Sequence, residues 1–190
     1  MPHRWLILRS GGHGRTVADA VRAQGDAVVG FLDDSRPAGE LVAGVPVLGP
    51  LRLAWDVKTL QCLEGASSPD RFVVAIGNPA LRQRWQQVLE AAAAPVGVVV
   101  HPRACVSPSA QLDPGCVVLA GAVINADARL ERGVLVNSGA VVDHDAICGP
   151  LASLAAGEVL GCGEHRFAEL QLAPGAADLS EGVSCVGYSG

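Results

Sequence analysis

His144 stands between Asp143 and Asp145. An imidazole near its ordinary pKa can act as a general base at neutral pH. A carboxylate on its second ring nitrogen would fix the tautomer and stabilise the imidazolium. The alternative is an exposed corner histidine flanked by two solvated acids. A second group of residues suits an anion. Ser10-Gly11-Gly12-His13-Gly14 follows the apolar run Trp5 to Leu8 and precedes a helical stripe of Val17, Ala18, Ala20, Val21 and Ala23. Amides at such a turn point at whatever binds there, and the helix dipole favours negative charge. The spacing is not the G-x-G-x-x-G of a dinucleotide site, which disfavours a nicotinamide-dependent oxidoreductase. Asp33-Asp34 ends the next apolar run, where an acid can accept from a ribose hydroxyl. Gly77-Asn78 closes a further run, Arg71 to Ile76. Together these outline a nucleotide or nucleotide-sugar pocket, or else an ordinary βα turn with its cap and two solvated acids.

The elements that must position these residues fall into two kinds. The first half alternates short apolar strands with helical stripes: Trp5 to Leu8, Thr16 to Gln24, Ala27 to Leu32, Arg71 to Ile76, and a helix from Asn78 to about Ala93. Val96 to Val100 reads as one more strand, and Gly44 to Gly49 as a turn-rich connector. This pattern predicts a small parallel α/β sheet with right-handed crossovers. The amphipathic stretch Leu81 to Ala92 predicts a core-packing helix.

The second half repeats in steps of six. From Val106 the positions run Leu112, Val118, Ile124, Leu130, Val136, Val142, Cys148, Leu154 and Leu160, aliphatic in every case but Cys148. Four residues after each comes a small or β-branched side chain, from Ala110 through Cys116, Ala122, Ala128, Val134, Ala140 and Ala146 to Ala152, until Glu158 and Glu164 break the series. A six-residue period is the spacing of a parallel β-helix, in which each hexad gives one short strand and one corner. A sandwich does not hold a fixed phase of six. The pattern decays after Leu160, and the tail from Glu169 to Gly190 keeps only Leu172 and Ala176. By phase, His144 points away from the prism axis.

Composition bounds the function class. The 190 residues are 49% hydrophobic and 4% aromatic with a net charge of -5. The chain can bury a core and has no basic run, so a nucleic-acid surface is not expected. No apolar run is long enough to cross a bilayer, and no signal-peptide pattern opens the chain. Six cysteines without a C-x-x-C pair are expected as free, buried thiols in the cytoplasm. Five scattered histidines show no metal-ligand spacing, so no metal site is expected.

The Gly-Gly-His-Gly loop, the Asp-Asp strand end, Gly-Val-Pro-Val-Leu-Gly, Val-Ala-Ile-Gly-Asn and the hexads around Val136 to Asp145 closely resemble the NeuD/PglD-type sugar O-/N-acetyltransferases. The resemblance runs from about Leu6 to Leu160. It implies a Rossmann-like sugar-nucleotide-binding domain over residues 1–100 and a left-handed parallel β-helix acyltransferase domain over residues 101–190, ending in an irregular tail. It also implies a homotrimer with acetyl-coenzyme A (acetyl-CoA) as co-substrate in the groove between prisms. His144 falls on the family's base and Asp145 on its acidic partner. Gly11, Gly12, His13, Asp33, Asp34, Gly77 and Asn78 fall on the sugar-nucleotide site. Asn137, taken as one coil from His144, and Ser153, where many members have a second histidine, fall on the acetyl-donor side. Arg9 stands where the family usually has glycine. The implied activity is acetyl transfer to an amine or hydroxyl of a nucleotide-linked amino sugar or sialic-acid-like sugar. A non-catalytic member that binds a sugar nucleotide or serves as an assembly partner is the alternative.

Overall fold

The computed structural model describes residues 1–61 and 68–168. Cys62, Cys185 and the tail residues Leu172 and Ala176 lie outside them. The chain begins with strand β1 (Arg4–Leu8), helix α1 (Gly12–Ala23) and strand β2 (Ala27–Leu32). Strands β3 (Leu41–Val42) and β4 (Val45–Gly49) follow, then a 3-10 turn (Leu51–Trp55), helix α2 (Val57–Gln61), strand β5 (Arg71–Val74) and helix α3 (Pro79–Ala91). The sheet order is β3-β4-β2-β1-β5, parallel except for the β3–β4 hairpin. β1 lies between β2 and β5, and its Trp5, Leu6, Ile7 and Leu8 are buried on both faces, as an interior parallel strand requires.

The expected connector at Gly44–Gly49 is instead strand β4, paired with Phe31 and Leu32 of β2. Its Pro46 does not prevent this, because the hairpin partner β3 contributes only two residues and an edge-side proline loses little pairing. Gly30 of β2 is needed where Leu48 crosses it: a Cβ there would lie 2.4 Å from Leu48 Cγ.

The expected strand Val96 to Val100 divides between two sheets. Val96 bridges Phe72 at the edge of the α/β sheet, whereas Val99–Val100 forms β6, the first rung of a parallel β-helix, and pairs with Val117–Val118. The rungs continue as β7 (Cys105–Val106), β8 (Gln111–Leu112), β9 (Val117–Val118), β10 (Val123–Ile124), β11 (Arg129–Leu130) and β12 (Leu135–Val136). They end with β13 (Val141–Val142), β14 (Ile147–Cys148), β15 (Ser153–Leu154), β16 (Val159–Leu160) and β17 (His165–Arg166). Three parallel sheets result: β6-β9-β12-β15, β7-β10-β13-β16 and β8-β11-β14-β17. The prism therefore runs one rung past Leu160, since His165–Arg166 pairs with Ile147–Cys148 although its residues are polar.

The two predicted columns make the axis. Val118, Ile124, Leu130, Val136, Val142, Cys148, Leu154 and Leu160 share one buried cluster with Cys116, Ala122, Ala128, Val134, Ala140, Ala146 and Ala152. Nine successive corners, in steps of six from 115 to 163, have positive φ; six are glycine and three are Asp127, Asp145 and Leu151. Outward residues of the first face, Val99, Val117 and Leu135, are buried with Trp5, Val17, Ala18 and Val21. That face docks the prism onto the α/β domain. Among the described residues no helix is long and apolar enough to cross a membrane.

Candidate functional site

His144 occupies the corner between β13 and β14. Asp145 takes the left-handed position of that turn with φ 61°, a conformation that glycine fills at most other corners and that Asp tolerates better than other side chains. The turn swings the Asp145 carboxylate onto its neighbour: Oδ2 lies 2.8 Å from His144 Nδ1. Asp143 completes the corner. Its Oδ1 accepts from the His144 amide at 2.8 Å and from Asn125 Nδ2, one coil earlier, at 2.8 Å. The His144 side chain is 54% exposed. Its pKa is raised by the Asp145 hydrogen bond, against desolvation, with the charges of Asp143 and Asp145 adding. Nε2 is thus the ring nitrogen that Asp145 leaves open. Asn125 was legible only through the coil period, because it is 18 residues before Asp143 in paired strands.

Cys162 stands one coil above, with Sγ 3.4 Å from His144 Nδ1. The expectation of buried thiols holds for Cys116 and Cys148, which burial raises to about 12 and about 11. Cys162 and Cys105 are exposed. Asn137 is not one coil from His144; the residues one coil away are Ala126 and Cys162, and Gly163, next to Cys162, donates to the His144 carbonyl at 3.1 Å. Asn137 sits on the preceding corner, where its Nδ2 donates to the Leu154 carbonyl at 2.8 Å.

The second cluster lies at the carboxyl edge of the parallel sheet, where β1, β2 and β5 end together. Arg9 holds φ 82°, the conformation a glycine would take there, and its carbonyl sits 2.1 Å from where a Cβ on Gly14 would fall. Gly14 is therefore obligatory for the tight entry into α1. Nothing lies within 4 Å of a Cβ placed on Gly11 or Gly12, so the loop that opens α1 borders open space. Asp33 is buried and does not present itself to a ribose. Its Oδ2 accepts from Ser10 N at 2.8 Å and Ser10 Oγ at 2.6 Å, and its Oδ1 from Ser35 N at 2.9 Å and Ser35 Oγ at 2.7 Å. Desolvation would raise its pKa, but these four donors outweigh it and hold the carboxyl far below the usual range. Asp33 is the clamp that shapes the glycine loop. Asp34 is exposed and spends one oxygen on the Leu51 amide at 2.8 Å. Asn78 caps α3 by accepting from Leu81 N at 3.0 Å.

The residue sequence reading missed is Arg82. On an amphipathic helix it looks like a surface charge, yet it is 2% exposed. Its guanidinium donates to the carbonyls of Ile76 at 2.7 Å, Gly77 at 2.8 Å, Gly133 at 3.0 Å and Leu151 at 2.5 Å, and to Ser153 Oγ at 2.8 Å. Burial lowers its pKa to about 10, so it stays charged at neutral pH. It ties the Gly77 turn to the prism. Burial and then the Arg82 charge push His13 down to about 4, so His13 is neutral at pH 7. A cavity of about 390 Å³ opens beside this hub, and Gly77, Leu151, Ser153, Arg166 and Phe167 are among its lining. Gly77 and Ser153 are thereby brought together. His144 is not with them, because its corner is the edge opposite the face that docks on the α/β domain.

The family model of the PglD N-terminal domain matches residues 5–89. No curated protein matches the chain significantly. A histidine-to-alanine mutant of GDP-perosamine N-acetyl transferase from Caulobacter crescentus, in complex with CoA and GDP-perosamine, is 32% identical, with a TM-score of 0.77, over 85% of this chain and 72% of that one. The acetyltransferase domain of PglB from Neisseria gonorrhoeae is 35% identical, with a TM-score of 0.72, over 84% of this chain and 74% of that one. The same domain in complex with acetyl coenzyme A gives 31% identity and a TM-score of 0.71 over 87% and 82%. These likenesses span both the glycine-loop domain and the β-helix, and the chain belongs to the NeuD/PglD-type family of sugar acetyltransferases.

Proposed function

We propose that this chain is an acetyl-CoA-dependent acetyltransferase acting on an amine or hydroxyl of a nucleotide-linked amino sugar or sialic-acid-like sugar, with His144 as general base. One observation carries the reading: Asp145 occupies His144 Nδ1 at 2.8 Å and leaves Nε2 open on an exposed corner. Nε2 takes the proton from the sugar amine or hydroxyl as that atom attacks the thioester carbonyl. The C–S bond then breaks, the imidazolium Nε2 gives that proton to the departing sulfur, and coenzyme A leaves as the thiol. Asp145 holds the Nδ1 proton throughout and stabilises the imidazolium. The relatives solved with CoA, acetyl coenzyme A and GDP-perosamine support both substrates.

In this reading Gly11, Gly12 and His13 receive the diphosphate at the start of α1, and Gly77, Asn78 and Asp34 border the sugar nucleotide. Ser153 is assigned to the same side because it shares a cavity with Gly77, and Asn137 to the acetyl donor. The assembly is a trimer in which one copy's glycine loop works with a neighbour's His144. The support is topological: within one chain the two clusters sit on opposite sides of the prism.

Calorimetric titration with acetyl-CoA, on a sample whose mass is checked, tests the reading. Micromolar binding by a trimer, about -8 kcal/mol, is expected. A folded trimer that binds no acetyl-CoA overturns it and leaves a non-catalytic family member.

A further inference from the structure

The His144 corner holds more ligating chemistry than acetyl transfer uses. Asp145 Oδ2 is 2.8 Å and Cys162 Sγ 3.4 Å from the same nitrogen, Nδ1. The ligand atoms of the three side chains all lie within 4.8 Å of one another, and all three residues are exposed. Rigid backbone sets this spacing: the Gly163 amide donates to the His144 carbonyl at 3.1 Å, and the flanking strands pair as Val142↔Leu160. Around a tetrahedral zinc, with bonds of ~2.0–2.3 Å, neighbouring ligand atoms stand about 3.3–3.6 Å apart. The two separations from Nδ1, 2.8 and 3.4 Å, fall within about half an ångström of that spacing, and the carboxylate and thiol lie within 4.8 Å of each other. Thiolate, imidazole and carboxylate together favour zinc over magnesium or calcium, which take oxygen ligands.

We propose that His144 Nδ1, the Asp145 carboxylate and Cys162 Sγ form a binding site for a soft divalent cation of the zinc type, with water as fourth ligand. On binding, the thiol gives its proton to solvent and the cation takes the Nδ1 lone pair. The remaining imidazole proton then resides on Nε2. An imidazole so loaded has no lone pair with which to accept a proton, so the cation switches the base off. This consequence rests on His144 being the base; the binding does not.

Cobalt(II) titration of the reduced full-length chain, followed by absorption, tests the site whether or not turnover is found. One cobalt per chain is expected, with tetrahedral d–d bands and a thiolate charge-transfer band that zinc abolishes. Cys162→Ala should lose the charge-transfer band and bind more than about 100-fold more weakly, beyond the loss of an outer-shell partner. Cys162→Ser is the second variant should the alanine chain misfold, and it should lose the same band. Cys105→Ala, at the other exposed thiol among the described residues, should keep it. No thiolate band in the native chain, or a band that survives both Cys162 variants, overturns the site. Cobalt binding with zinc-insensitive acetyl transfer overturns the switch.

Discussion

Asp145 is the residue at which folding and the proposed chemistry meet. A left-handed conformation costs a non-glycine residue about 1–2 kcal/mol, and six of the nine corners avoid this with glycine. At 145 the chain keeps a side chain whose carboxylate reaches its own neighbour's ring. Asp145→Gly should therefore leave thermal stability within about 1 kcal/mol of the native chain while acetyl transfer falls. Melting curves beside initial rates check this. The pH profile gives a second expectation. As the proposed base, His144 would work deprotonated, so activity should rise with pH through its pKa. The Asp145 bond raises that pKa, so the acidic limb of kcat/KM should have its midpoint above the ordinary histidine value of about 6.5. Asp145→Asn should move the limb back toward that value. A limb that stays in place would detach Asp145 from the base. For folding the sign is opposite. The raised pKa adds stability below the unfolded value of about 6.5, and this is lost as pH rises through the folded value.

At the scale of elements, α3 is read correctly as a helix but not for what it buries. Its inward face carries Arg82 and Gln86 as well as Leu89, so a stripe that looks amphipathic is partly a polar joint. Removing the guanidinium would strand carbonyls of Ile76, Gly77, Gly133 and Leu151, each worth about 1–3 kcal/mol when buried without a partner. Arg82→Met should cost about 3 kcal/mol or more, seen as a lower urea midpoint, and should raise the KM for the sugar nucleotide because the Gly77 turn loosens. The hexads were legible because a prism forces the same side-chain volume at the same phase on every turn, and the axial cluster reproduces both columns from Cys116 to Leu160. β4 was not legible: its glycines and Pro46 look like turn chemistry, and only the neighbouring β2 makes them a strand. The last rung, His165–Arg166, was hidden because pairing with β14 outweighs its polar sequence.

For the whole molecule, the separation of the two clusters is the informative feature. The glycine loop was legible from its place between strand and helix, and His144 from its phase outside the prism. Their relation was not, because no local pattern says which face of the prism docks on the sheet. The buried outward residues Val99, Val117 and Leu135 settle that. If sites are shared between copies, chains carrying His144→Ala and chains carrying Gly12→Trp, each inactive alone, should regain activity when coexpressed as mixed trimers. No regain would mean that loop and base act within one chain.

The central claim is tested most directly by coenzyme A release. The chain is incubated with acetyl-CoA and a panel of nucleotide-linked amino sugars, and free thiol is followed for the native protein and for His144→Ala. Sugar-dependent thiol release by the native chain is expected, with a loss of about 10²–10⁴-fold in kcat for His144→Ala and with trimer mass and far-ultraviolet circular dichroism unchanged. Release that is undiminished in a folded His144→Ala trimer would contradict it.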